Sequence, residues 1–250
     1  MKAYKFLALG STGRFSEFSW PRPAGAEPGA WVAAAEGLED CRHGVHACRR
    51  GQLLDWIDDE LWEIELDGEI VVGEAMVVAE RGRLLRQIEQ WDGPTAQEFA
   101  DACAWRARDY ALSSLRRVGL TDEAERLVGA VELRDLQAGA VAAFAQSDGA
   151  AAELTGFAAD AVSLAQGRRP EMWDPERPAT LREPVQTPGA IAANLAFVVA
   201  HAAGREAVAA GGSEAAYDAG FEAERTWQLG WLSERLGLVD DERVIAEEPG

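Results

Sequence analysis

The chain has 250 residues, is 48% hydrophobic and carries a formal net charge of −19. That length allows one large domain or two small ones, and the apolar fraction is too high for a disordered chain. So acidic a balance argues against a duplex nucleic-acid binder, because phosphate contacts need a basic face.

Three cysteines do not build a disulfide framework, which points to a reducing, cytoplasmic setting. Lys2 and Lys5 are the only lysines, and arginine supplies the remaining cationic charge. With abundant alanine, that usage suggests a GC-rich bacterial genome. The apolar run Phe6 to Leu9 is too short for the hydrophobic region of a signal peptide. The longest apolar stretch, 190–203, is interrupted by Asn194 and His201 and falls short of the roughly 20 residues a membrane span needs. No membrane association is expected.

Up to about residue 92 the pattern is one of strands and turns. Residues 3–9 alternate weakly and end in the turn Gly10-Ser11-Thr12-Gly13. This turn follows a strand but lacks the lysine of a P-loop and the third glycine of a dinucleotide fingerprint. Phe15, Phe18 and Trp20 precede a Pro- and Gly-rich loop, 21–29, and 31–35 can form another short strand. Residues 44–48 predict a strand with His46 and Cys48 on one face and Val45 and Ala47 on the other. A short helix is expected over 52–57, then a strand over 61–66 whose Glu63 and Glu65 face together. Asp67-Gly68 signals a hairpin before 69–72. Residues 76–79 and 84–91 complete a small, mostly antiparallel sheet. Arg81, Arg83 and Arg86 read as a solvated strand face, or as a local basic patch.

Beyond Gly93 the signals turn helical. A helix starting at Pro94 carries Phe99, Cys103, Arg106 and Tyr110 along one side and stops at the C-cap Gly119. Thr121 opens a second helical segment running to Leu136, and one or two alanine-rich helices fit 139–166. Residues 168–189 hold five of the ten prolines, an irregular segment long enough to serve as a lid or a docking arm. Two last helices, 188–210 and 213–237, flank Gly211-Gly212. The tail 240–250 is acidic. The fold class is therefore α+β: a β-rich domain over 1–92, a helical domain over 93–239 and the acidic tail.

The segment Cys41-Arg42-His43-Gly44-Val45-His46-Ala47-Cys48 holds four of the six Cys and His residues of the chain. These side chains suit soft metals, nucleophilic attack and proton transfer near neutral pH. Three roles are open. Cys41, His46 and Cys48 can ligate zinc or iron, with Cys103 or His201 completing the set, because four tetrahedral ligands do not fit one eight-residue strand. Alternatively, Cys48 or Cys41 is a nucleophile with His46 as its base, oriented by Asp55, Asp58, Asp59 or Asn194, and with Arg42, Arg49 and Arg50 lowering the thiol pKa. In the third role the cysteines are small core residues and His46 is a hydrogen-bonded histidine. On the last helix, Glu224, Trp227, Gln228 and Trp231 repeat at i, i+4 as a packing stripe.

Tyr4-Lys5, Gly13-Arg14-Phe15, Trp20, Cys41-x-x-Gly44-x-His46-x-Cys48, Leu54-x-Trp56 and Leu61-Trp62-x-Ile64-x-Leu66 together resemble a family of uncharacterised bacterial and phage-encoded proteins. The likeness covers roughly residues 1–90. It implies no mechanism, but it implies that His43 is incidental, since the recurring positions are Cys41, Gly44, His46 and Cys48. The segment Glu224-Arg225-x-Trp227-Gln228-x-x-Trp231-Leu232 is similar to alanine-rich helical immunity-type domains. No complete catalytic constellation can be assembled. The expectation is thus a non-catalytic interaction, regulatory or immunity-type protein of a bacterium, whose acidic surface meets a basic protein or which holds a small anionic ligand. The alternative is a metal- or thiol-dependent enzyme with its site on the 41–48 strand.

Overall fold

Alternating apolar residues in the N-terminal part form one antiparallel sheet of five strands: β1 (Lys2–Leu7), β2 (Val32–Ala33), β3 (Val45–Ala47), β4 (Glu60–Val72) and β5 (Val77–Gln87). Helices follow, as an α+β chain requires: α1 (Gly93–Arg117), α2 (Thr121–Val128), α3 (Leu133–Phe144), α4 (Gly149–Ala165), α5 (Pro188–Ala209) and α6 (Glu214–Leu236). A 3-10 turn, Arg50–Asp55, stands where a short helix is expected. This computed structural model describes residues 1–34, 37–38, 43–168 and 187–239. The proline-rich segment, apart from its ends, and the acidic tail lie outside the described residues. No described helix is long and apolar enough to cross a membrane.

The chain divides into two compact units, Met1–Thr95 with Leu229–Gly250, and Ala96–Gln228. In the first, β4 lies between β1 and β5, while β2 and β3 both pair with β5. One further bridge closes the sheet. Tyr4 and Cys48 exchange two backbone hydrogen bonds, N to O, of 2.8 Å each. The pairing therefore runs β1-β4-β5-β3 and back to β1, a small barrel. Its interior is lined by Ala3, Leu7, Val45, Ala47, Ile64, Leu66 and Leu84, with Trp20 and Trp62. Ile64, Leu7 and Leu84 are fully buried, each contributing about 1.5–3 kcal/mol by leaving water. The other face of β1 packs outward. Phe6 meets Trp91 edge-on at 5.7 Å, and the Tyr4 hydroxyl donates to the Val239 carbonyl at 2.8 Å.

Two expected boundaries move. Asp67-Gly68 is not a hairpin: β4 runs through it to Val72, and the reversal falls at Gly73–Met76, where Gly73 N donates to Met76 O at 2.9 Å. Gly68 instead occupies a bulge at φ +83°, and Glu80 accepts the next amide, that of Glu69, at 3.1 Å. The same positive φ that suits a hairpin glycine also suits a bulge, so the dipeptide alone cannot separate them. The helix expected over 121–136 breaks after Val128, because Glu132 and Asp135 form a reciprocal cap that starts α3.

Arg81, Arg83 and Arg86 are not a free basic patch. They pair across the strands with Asp67, Glu65 and Glu63 at 2.8, 2.7 and 2.8 Å, and the Trp31 ring lies 5.0 and 4.5 Å from Arg81 and Arg83. Such exposed pairs contribute at most about 1 kcal/mol each and neutralise the face.

Asp92 caps α1 by accepting the Thr95 amide at 2.8 Å, and Thr187 with Pro188 opens α5. In the second unit α4 is buried on almost every side, its alanines allowing close helix approach. Leu154 and Phe157 pack with Val198 and Ala202 of α5, joined by Tyr110 and Leu164.

Gly44 enters β3 at φ +127°, where an added Cβ would sit 2.2 Å from Val78 Cγ1. Gly44→Ala is expected to destabilise the protein by about 2–3 kcal/mol. Urea unfolding checks this, and an unchanged midpoint would refute the strained-entry account.

Candidate functional site

β3 alternates as its sequence predicts: Val45 and Ala47 point into the barrel, while His46 and Cys48 share the opposite face. His43 is exposed, and Cys41 lies outside the described residues. Cys48 is 1% exposed, and its Sγ donates to the Tyr4 carbonyl at 3.4 Å. Burial pushes this thiol up to about 12, and only the Lys5 charge opposes the shift. The expected activation by flanking arginines does not occur: neither Arg49 nor Arg50 acts on this thiol, and the nearby Asp55 charge raises it further. Arg49 serves the backbone instead. Its backbone amide donates to Gln52 Oε1 at 2.9 Å and its carbonyl accepts the Gln52 amide at 3.0 Å, while the Gln52 side-chain nitrogen holds the β4–β5 reversal through the Gly73 and Glu74 carbonyls at 2.8 and 2.9 Å.

Of the other expected partners, Asp55 lies near enough to Cys48 to act on its thiol, and the rest are elsewhere. Asp58 turns its carboxylate to the Asp59 amide at 2.9 Å, and burial holds its pKa above the ordinary range. In the second unit Cys103 is fully buried on α1, His201 contacts Tyr217 and Phe197, and Asn194 is exposed. Among the described residues no group of three or more His, Cys, Asp or Glu side chains is placed to hold a metal ion.

Two side chains outside the Cys/His cluster carry more unusual environments. The first is Lys5. Ala3 and Leu7, two positions to either side, face the barrel interior, and Lys5 shares their face opposite Trp62. Its Nζ donates to the His46 carbonyl at 2.5 Å and lies 4.8 Å from the centre of the Trp20 ring. Among the described residues no carboxylate lies within ion-pair distance of it, and burial pushes the amine down to about 8. The signal was present in the sequence, as a lysine at an inward position of an alternating strand.

The second is Glu60, 7% exposed at the start of β4. Its carboxylate accepts the Gly10 and Ser11 amides at 2.9 and 3.0 Å, the Ser11 hydroxyl at 2.8 Å, the Trp62 indole at 3.0 Å and Arg22 at 3.2 Å. These bonds hold Ser11 at φ +57°, a strained conformation for a non-glycine residue. The loop from Leu9 to Trp20 is tied further by Gly13 N to Phe18 O and Trp20 N to Ser11 O, each 2.9 Å. It presents Leu9, Phe15 and Phe18 at 67, 84 and 42% exposure.

In the second unit the stripe on α6 includes a buried charge. Glu224, 0% exposed, accepts Arg106 Nε at 2.9 Å and Nη2 at 2.6 Å, the Tyr110 hydroxyl, and Gln228 at 3.2 Å. Arg106 also stacks on Trp227 at 4.5 Å. This network matches every charge it buries and reads as packing. Comparisons with family models, curated proteins and solved structures each return no match.

Lys5 and Glu60 can each be probed through stability. The Lys5 amine binds its proton less tightly folded than unfolded, so its burial cost is present in full below pH 8 and is relieved as pH rises from about 8 to 10.5. Cys48 acts oppositely: the folded state keeps the thiol proton, and that stability is lost as pH rises from about 9 to 12. Urea titrations are expected to show stability rising above pH 8 before it falls. Lys5→Met removes the rise and adds on the order of 1–2 kcal/mol at pH 7. A variant with the wild-type pH profile would contradict the assignment. Glu60→Ala leaves the Gly10 and Ser11 amides and Trp62 without an acceptor, at a cost of about 2–4 kcal/mol. Chymotryptic cleavage after Phe15 and Phe18 should accelerate at least as much as cleavage elsewhere, and a loop no more susceptible than before would show that Glu60 does not hold it.

Proposed function

We propose that this chain is a non-catalytic interaction protein, of the regulatory or immunity type and acting in a bacterial cytoplasm, that seats a basic protein partner. One observation carries the reading: Leu9, Phe15 and Phe18 project from a single loop that Glu60 and its own backbone bonds hold in one conformation. Scattered apolar side chains on a surface need no explanation, but three on one rigid loop form an anchor. A pre-ordered anchor binds without the entropy cost of ordering, and large apolar residues dominate interface energies. The net charge of −19 supplies the complementary part, drawing a cationic partner toward the anchor at long range.

The chemistry of Cys48 supports this choice over the enzyme alternative. A Cys48 thiol pushed up to about 12 is almost wholly protonated at neutral pH, and the thiolate is the form that attacks carbon or binds metal.

The test uses the full chain as bait, with partner affinity then measured for the wild type and for the Leu9→Ser/Phe15→Ser double variant. The expected result is a basic partner whose affinity falls at least roughly tenfold in the double variant and also falls between low and high salt. The thermal midpoint of the variant should be unchanged, because both side chains are exposed. Equal affinity for both proteins, or binding indifferent to salt, would sink the reading.

A further inference from the structure

We propose that the outer edge of β4 between Gly68 and Val72 is a docking site for an extended, basic segment of another protein, which adds to the sheet as one more strand. The edge is separate from the Leu9–Phe18 loop, and the proposal does not rest on that loop seating a partner.

β4 has thirteen residues against six in β1. β1 covers its outer side only from Glu60 to Glu65, and the last backbone bonds between them join Met1 and Leu66. Beyond the bulge at Gly68 the strand pairs with β5 alone: Ile70 with Ala79, Val71 with Val78 and Val72 with Val77. Apart from the Glu69 amide, held by Glu80, the backbone groups that face away from β5 along this stretch have no protein partner among the described residues. A row of free amides and carbonyls is a template for another strand. Val71 and Val72, 42 and 43% exposed, point to opposite faces of the strand. Each face at this edge therefore offers a β-branched side chain for an added strand to cover. Neither lysine nor proline, two common protections of an open edge, stands between Gly68 and Val72.

Charge decides which strand fits. Glu63, Glu65 and Asp67, on one face of β4, each have an arginine across from them: Arg86, Arg83 and Arg81. Beyond Asp67 this matching stops. Glu69, Glu74 and Glu80 are exposed, and none is ion-paired among the described residues. The Glu80 carboxylate lies against the bulge itself, where it accepts the Glu69 amide at 3.1 Å. Uncompensated carboxylates beside a free edge repel a second copy of this chain, which carries the same net charge of −19. They attract a strand bearing lysine or arginine. The occupant is thus an extended segment in which cations alternate with apolar residues. Its main chain pairs with β4, its apolar side chains cover Val71 or Val72, and its cations reach the glutamates. So short an edge buries less than about 1,200 Å² in total, the size of a transient encounter.

The test uses the full chain and a fluorescent peptide that alternates lysine with valine. Binding is followed by anisotropy and backbone protection by hydrogen exchange. The peptide is expected to bind at low salt, to slow exchange in the 68–72 segment and to leave the Leu9–Phe18 loop unchanged. Its affinity should fall at least about tenfold at high salt and in Glu69→Lys/Glu74→Lys, which should instead take a peptide alternating glutamate with valine. The lysine–valine peptide with its backbone amides N-methylated keeps its charges but cannot donate to β4, and it should bind at least about tenfold more weakly. That arm needs no variant of the protein and decides alone if the charge reversal does not fold. Leu9→Ser/Phe15→Ser should bind the peptide as the wild type does, which separates this edge from the partner-binding loop. No binding, equal binding of the N-methylated or the glutamate–valine peptide by the wild type, or protection that falls on the Leu9–Phe18 loop, would overturn the proposal. So would a doubling of mass with protein concentration that protects 68–72 without peptide, which would make a second copy the occupant.

Discussion

The first unit depends on the pair of hydrogen bonds between Tyr4 and Cys48. Without them β3 would hang on β5 alone and β1 would leave an open edge beyond β4. With them the sheet closes, and closure forces each residue of β1 and β3 to lie either inside or outside. Ala3, Lys5 and Leu7 go in, while Tyr4 and Phe6 go out to meet Val239 and Trp91. The same step buries Cys48 against the Tyr4 carbonyl, which makes its thiol inert. A structural constraint on the backbone thus sets the protonation chemistry of a side chain.

Three charged groups, two buried and one partly so, show how differently one chain can treat the cost of desolvation. Glu60 accepts five hydrogen bonds and organises a loop. Glu224 is matched by Arg106, Tyr110 and Gln228 and joins α1 to α6 within the second unit. Lys5 has one carbonyl and one indole face. Matched charges are compatible with stability or specificity of packing, whereas an unmatched one is retained at a cost.

The loop held by Glu60 is the surface on which the proposed partner binding rests. Phe18 packs edge-on against Trp20 at 5.8 Å, so the exposed anchor and the barrel interior share an aromatic contact. The ion-paired face of β4 and β5 is neutral by comparison, and the acidic excess lies elsewhere on the chain.

Much of this was legible in the residues themselves. Period-two alternation placed Val45 and Ala47 opposite His46 and Cys48, Pro94 marked the start of α1, and the apolar stretch from 188 marked α5; these are signals carried by neighbours in the chain. The α+β order followed from the same local patterns. Local signals failed where one short motif serves two geometries, as Asp67-Gly68 did in becoming a bulge. They were silent where the deciding partner is remote in sequence. Glu60 reaches Ser11 across 49 residues, Lys5 reaches His46 across 41, and Arg106 reaches Glu224 across 118. Residue type sets what a side chain can do, but its pKa and its partners depend on burial and on what folding brings within hydrogen-bond reach. For that reason the cysteines and histidines stood out in the sequence, and only the fold showed Cys48 buried with its thiol proton held and Lys5 set on a carbonyl without a carboxylate beside it.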